Sequence, residues 1–247
     1  MTLWVPEWLG NSYSKLWQTF GPHEFSLDQA EEVLSVERSY LLNIMSRLAR
    51  QGYAARVQRG QYRVWSPDYI AASVAGYIQL GRLERDTHGS ALKSILSDLL
   101  EHFGNRLVSV VVFGSIARGN HTNESDIDVL VIVRHWKKRV MARVEELTAA
   151  TEETGRLLIH LWVSEGAYSP IQWYPLDAEE AGALKPLYLD MTIDAVVVYD
   201  RNRFFTAVLE RLRLLLHETG AARVALPDGS HVWEMPSGKT LSEVLTT

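Results

Sequence analysis

Two aspartates, Asp126 and Asp128, stand one residue apart at the head of an apolar run that continues to Val133. Side chains alternate across a strand, so the two carboxylates project from the same face. Like charges crowded in this way repel unless a cation lies between them. A hard divalent ion with oxygen ligands, Mg2+ or Mn2+, is the natural occupant. Upstream, a second apolar run, Leu107 to Phe113, passes directly into Gly114-Ser115-Ile116-Ala117-Arg118-Gly119. Gly114 and Ser115 open a helix there, and the free N–H groups at a helix start suit a phosphate. A phosphate cradle beside paired carboxylates is equipment for chemistry at a phosphorus atom.

The whole segment reads GSIARGNHTNESDIDVLV. It resembles the signature of the DNA polymerase β-type nucleotidyltransferases, and most of all the small prokaryotic minimal nucleotidyltransferases. The resemblance implies a supporting fold over about Leu92 to Asp200. It also implies transfer of a nucleoside monophosphate from a nucleoside triphosphate to an acceptor hydroxyl, with release of pyrophosphate. On that pattern Gly114, Ser115, Arg118 and Ser125 contact the nucleotide, and Asp126 and Asp128 hold one or two magnesium ions. Many relatives serve as antitoxins. The alternative is therefore a DNA-binding regulator or antitoxin-type protein that binds a nucleotide, or a toxin-like protein partner, without turnover. Active relatives usually carry a third carboxylate on the strand after the next helix. The segment read as that strand, Arg156 to Val163, contains no acid. His160 is left there as the candidate base, with Glu165 just past its end and Glu124, Glu152 and Glu153 as further acids.

The elements before the motif form a unit of their own. Trp4, Trp8, Tyr13 and Trp17 recur at helical spacing up to Phe20, and Ser26 caps a second helix. A third, about Glu37 to Gln51, repeats Leu41, Leu42, Met45 and Leu48 every three or four residues and stops at Gly52. Tyr53–Val57 and Gln61–Trp65 then read as a hairpin. Three helices and a hairpin outline a winged helix-turn-helix over residues 1–66. Between Arg47 and Arg63 there are five arginines and no acid. A basic stripe on an acidic protein is the footprint of a polyanion, so duplex DNA is the expected partner. Arg38, Ser39 and Asn43 would read bases early on the recognition helix, with Arg47, Arg56, Arg59 and Arg63 beside them.

A linker helix is expected over residues 67–90, from about Asp68 to Arg85, and the nucleotidyltransferase domain over residues 91–200. Within the latter, a helix runs to about Thr154, helices fill Pro175 to Asp190, and Ala195–Tyr199 is a strand. Residues 201–247 read as a leucine-rich helix and a hairpin turning at Pro227-Asp228-Gly229. The fold class is α/β (α+β): a winged helix, then a mixed sheet flanked by helices.

Composition narrows the setting. The 247 residues carry a net charge of -5, which argues against indiscriminate nucleic-acid binding by the whole surface. No apolar run is long enough to span a bilayer, and no secretory signal is legible at Met1 to Pro6. The absence of cysteine excludes disulfides and thiolate metal sites and fits a cytoplasmic protein.

Overall fold

The computed structural model describes residues 5–85, 88–166, 169–227 and 231–235. The chain opens with α1 (Glu7–Phe20), β1 (Phe25–Ser26), α2 (Leu27–Leu34) and α3 (Arg38–Arg50), then β2 (Ala54–Gln58) and β3 (Gln61–Val64). Trp4, expected in the first helix, lies outside the described residues. A capping box starts α2: the Ser26 hydroxyl accepts from the Gln29 N–H at 3.2 Å, and the Gln29 side chain accepts from the Ser26 N–H at 2.8 Å. β1 pairs with β3, so these strands form an antiparallel sheet in the order β1-β3-β2. Leu41, Ile44, Met45 and Leu48 line the inner face of α3 and share one core with Leu9, Leu16 and Phe25.

The connector differs from the single helix expected. α4 (Pro67–Val74) is short: the Ser66 hydroxyl caps it, accepting from the Tyr69 N–H at 3.2 Å, and Pro67 takes the first turn. After Gly76, at a φ of 77°, the chain straightens. Gln79 then donates to the Val198 carbonyl at 2.9 Å, and Ile78 bridges to Tyr199. The connector therefore runs along a sheet edge instead of continuing as a helix.

That sheet belongs to the second half. α5 (Gly89–Phe103), β4 (Leu107–Phe113), α6 (Gly114–Arg118), β5 (Ile127–Val133), α7 (Val140–Ala150), α8 (Glu152–Glu165) and β6 (Ile171–Asp177) are followed by α9 (Ala178–Gly182), α10 (Tyr188–Asp194), β7 (Val196–Asp200) and α11 (Phe204–Thr219). The strand order is β6-β5-β4-β7, with β4 antiparallel to β5 and β7 and β5 parallel to β6. This is the expected mixed sheet flanked by helices. Val110, Val112, Val129 and Val131 pack with Leu92, Leu96 and Leu99 of α5 and Leu147 of α7. On the other face Leu130 and Ile132 meet Tyr188 of α10 and Phe205, Leu209 and Leu212 of α11. Central strands covered on both faces become continuously apolar, which is why β4 and β5 stood out in the sequence. At the C-terminal end β8 (Ala222–Ala225) pairs with β9 (His231–Glu234), and residues 228–230 of the expected turn lie outside the described residues.

Two expectations are corrected here. Arg156 to Val163 is not a strand but the body of α8. Its apolar run suits helix or strand alike. Glu152 and Glu153 favour a helix N-terminus, Arg156 pairs with them at 2.8 and 2.9 Å, and Gly166 ends the helix at a φ of 71°. The third strand of the motif region is β6, whose second half was read as the start of a helix. Pro175 is tolerated because β6 lies at the edge of the sheet.

Buried polar contacts join the two halves. Arg63 is 2% exposed, and its guanidinium bonds Asp98 and Ser94 of α5. The Thr154 hydroxyl donates to Asp98 at 2.6 Å. Ser66 donates twice to Ser97, from its N–H to the hydroxyl at 2.8 Å and from its hydroxyl to the carbonyl at 3.1 Å. Among the described residues no helix is long and apolar enough to cross a membrane.

Candidate functional site

The site is assembled where β4 ends and β5 begins. Phe113 lies opposite Asp128 in the antiparallel register, so the chain leaving β4 turns beside the Asp128 carboxylate. Gly114 makes that turn at a φ of 71°, and a Cβ there would run into the carboxylate, with Asp128 Cγ only 3.0 Å away. Glycine alone meets both demands. The Gly-Ser turn and the carboxylate thus occupy one place. α6 closes at Gly119, whose N–H donates to the carbonyls of Ser115 at 3.0 Å and Ile116 at 3.1 Å. Ser115 is half-buried and Arg118 exposed at the end of this turn. The following loop is pinned by Ser125: its hydroxyl accepts from the Thr122 N–H at 2.9 Å, and its N–H donates to the Thr122 carbonyl at 3.1 Å. The Ser125 hydroxyl is therefore engaged in the loop that delivers Asp126.

The electrostatics are those of an unbalanced pair. Burial first, and then the charge of the exposed Asp126, push the half-buried Asp128 carboxyl up, against a smaller pull from Arg118. Tyr174 of β6, which sequence reasoning did not single out, stacks edge-on against Phe113 with ring centroids 4.8 Å apart. Burial, then Asp128 and Asp126, raise its phenol. Its signal was the alternation along β6, legible only once that strand is located. The donor set fits a divalent cation: paired carboxylate oxygens whose repulsion a cation would relieve, beside a turn that leaves no room for a Cβ. Among the described residues no group of three His, Cys, Asp or Glu side chains gathers to hold a metal. An ion held by Asp126 and Asp128 would complete its shell with phosphate oxygens and water, as magnesium commonly does.

His160 is not part of this site. α8 packs against α5, on the face opposite the one carrying Asp128, and the His160 charge acts on Glu24 in the N-terminal half. The missing acid was sought on the wrong segment. The strand beside the carboxylates is β6, and it too is acid-free from Ile171 to Leu176. Glu152 and Glu153 are occupied with Arg156, Glu124 is exposed in the pinned loop, and the side chain of Glu165 lies outside the described residues.

Of the residues expected on a DNA surface, Ser39, Asn43, Arg47, Arg56 and Arg59 are exposed. Arg47 donates to Asn43 at 3.1 Å and lies 5.4 Å over the Trp8 ring. Arg38 is paired with Asp28 and Glu31. Arg63 is a correction: it points inward from β3 and is paired with Asp98, so it cannot meet a polyanion.

A mixed sheet that brings a Gly-Ser turn and an Asp-x-Asp pair to one point defines a nucleotidyltransferase-type domain. The family model described as "Nucleotidyltransferase domain" matches residues 92–177. "Putative protein adenylyltransferase MJ1305" of Methanocaldococcus jannaschii is 32% identical over 130 residues, covering 51% of this chain and 83% of that protein. "Putative protein adenylyltransferase MJ0604" of the same organism is 40% identical over 42 residues, 17% of this chain and 42% of that protein. The chain belongs to the minimal nucleotidyltransferase family. It also aligns with a toxin–antitoxin crystal structure containing AMP-PNP, over 51% of this chain and 90% of that one, at 18% identity and a TM-score of 0.31.

Proposed function

We propose that this chain binds ATP as its divalent-cation complex and transfers AMP to an acceptor hydroxyl. The acceptor hydroxyl gives up its proton to solvent or to a group on the acceptor, its oxygen forms a bond to the α-phosphorus as the bond to the bridging oxygen breaks, and pyrophosphate leaves. The observation that carries the reading is the approach of Asp128 to Gly114, which makes phosphate turn and carboxylate pair a single site. Backbone N–H groups at Gly114 and Ser115, with the Ser115 hydroxyl, hold the β- and γ-phosphates. Arg118 offsets their charge. Ser125 fixes the loop, and Asp126 and Asp128 hold the cation, Mg2+ or Mn2+. Bound there, the cation would align and polarise the α-phosphate. The names of the two archaeal relatives support a protein hydroxyl as the acceptor.

Calorimetric titration with ATP, with and without Mg2+, followed by a pyrophosphate-release assay with candidate acceptor proteins, tests this. Asp128→Ala should lose Mg2+-dependent ATP affinity by about a hundredfold, the upper end of what even outer ligands contribute to metal sites, while keeping its fold. Unchanged Mg2+-dependent affinity in the folded variant would sink the reading.

The N-terminal half supports a second role, duplex-DNA binding by a winged helix. From Arg38 to Arg63 the chain carries no acid, and Arg47, Arg50, Arg56 and Arg59 are exposed. DNA retention without pyrophosphate release would favour the regulator reading over the enzyme.

A further inference from the structure

The edge strand β6 flanks the Asp126–Asp128 pair. Asp128 has a register partner on each side: Phe113 on β4 and Gln172 on β6. Partners in register present their side chains to the same face. The exposed Gln172 therefore occupies the strand position next to Asp128 on that face. Along the same face of β6 the next residue is Tyr174, and beyond it Leu176 packs into the apolar core. On the other flank lie the Gly114 turn, Ser115 and the cationic Arg118. No third acid joins Asp126 and Asp128 among the described residues.

Two carboxylates match the charge of one divalent ion. Two such ions roughly 4 Å apart repel strongly and need further anionic ligands between and around them. A triphosphate supplies anionic oxygens on its own side of the pair. On the β6 side the described residues in register with the pair are a neutral amide and a phenol. An amide can donate or accept a hydrogen bond, but it cannot balance a second dication or take up a proton.

Resting on the nucleotidyl-transfer reading above, we infer that Gln172 limits the site to one divalent ion, the one that accompanies the nucleotide's phosphates. The β6 side is left without a cation of its own. An acceptor hydroxyl arriving there meets, on β6 from Ile171 to Leu176, hydrogen-bonding groups and no carboxylate. The chain therefore holds Mg-ATP well relative to its rate of transfer, unless the acceptor brings the base with it.

The test counts ions. The full chain is titrated with Mn2+ in the presence of a non-hydrolysable ATP analogue, and electron paramagnetic resonance gives the Mn2+ bound per bound nucleotide. One ion is expected for the unmodified chain. Two are expected for Gln172→Asp or Gln172→Glu, the second bound at least about tenfold tighter than in the unmodified chain, the lower end of a ligand's effect. Because Gln172 is exposed, both variants should fold, with a melting temperature somewhat below the parent's without metal and restored by Mn2+. Two ions in the unmodified chain overturn the inference, and this count needs no variant. One ion in both folded acidic variants overturns it as well. If the analogue fails to bind with Mn2+, it is the nucleotide reading itself that falls.

Discussion

Asp98 and Asp128 are both carboxylates that burial pushes upward, and their surroundings answer that cost in opposite ways. Around Asp98 the chain supplies a counter-charge and a hydroxyl: Arg63 pairs with one oxygen and Thr154 donates to the other. Around Asp128 it supplies a second carboxylate, Asp126, and a glycine that lets the backbone press against it. A buried ion pair completed within the chain is a structural joint, here between β3 and α5. A carboxylate crowded by a second one, offset only in part by Arg118, keeps a repulsion that a bound cation would relieve. An upward shift alone does not separate the two; the sign of the neighbouring charge does.

The comparison breaks most readily at Arg63. Removing one partner of a buried ion pair strands the other, which costs about 3–5 kcal/mol. Arg63→Ala should accordingly lower the melting temperature by roughly 10 °C, at about 2–4 °C per kcal/mol for a chain of this size. Arg56→Ala and Arg59→Ala, at exposed positions, should change stability by less than about 0.5 kcal/mol. These two should weaken salt-sensitive DNA retention instead. Thermal melts and DNA retention on the same variants separate the roles. An Arg63→Ala protein as stable as its parent would remove the structural half of the contrast.

At the site the expected sign reverses. Asp128, unlike the Arg63-paired Asp98, is pushed up by a like charge as well as by burial, so its ionised form burdens the fold at neutral pH. Asp128→Asn should raise the metal-free melting temperature at pH 7 by a degree or two, equivalent to about 0.5 kcal/mol. Asp98→Asn should lower it, because Arg63 then loses its counter-charge. Equal signs for the two variants in parallel calorimetric melts would show that the environments do not differ as described.

The smallest effect sharpens the contrast from the other direction. Arg143 donates to Glu180 at 2.6 and 2.8 Å and holds its carboxyl down to about 2. A depressed carboxyl contributes stability above its unfolded pKa and loses it as pH falls through the folded value. Melting temperature should therefore drop between about pH 4.5 and pH 2. Glu180→Gln should flatten part of that drop, by roughly 0.3 kcal/mol since Glu180 is half-exposed and screened. An unchanged acid limb would mean that this pair contributes nothing measurable.

The sequence by itself determined that Gly114, Asp126 and Asp128 come together. They lie within one contiguous strand–turn–strand unit, and strands covered on both faces read as apolar runs, so pattern and spacing were enough to place them. The helices of the N-terminal half were legible for a similar reason, through caps such as Ser26 and the three-to-four spacing of α3. Tertiary structure decided which residues flank that centre. The run from Leu157 to Val163 has no intrinsic preference strong enough to separate helix from strand, and packing against α5 settled it as α8. Pro175 disguised β6, because a proline is compatible with a strand only at an edge, and edges exist only once a sheet is assembled. With β6 misplaced, Gln172 and Tyr174 could not be seen beside Asp128, and His160 was set in a cleft it does not enter. Arg63 reads in sequence like its exposed neighbours Arg56 and Arg59. It became a buried partner because Asp98, far along the chain, offers the charge that makes its burial tolerable.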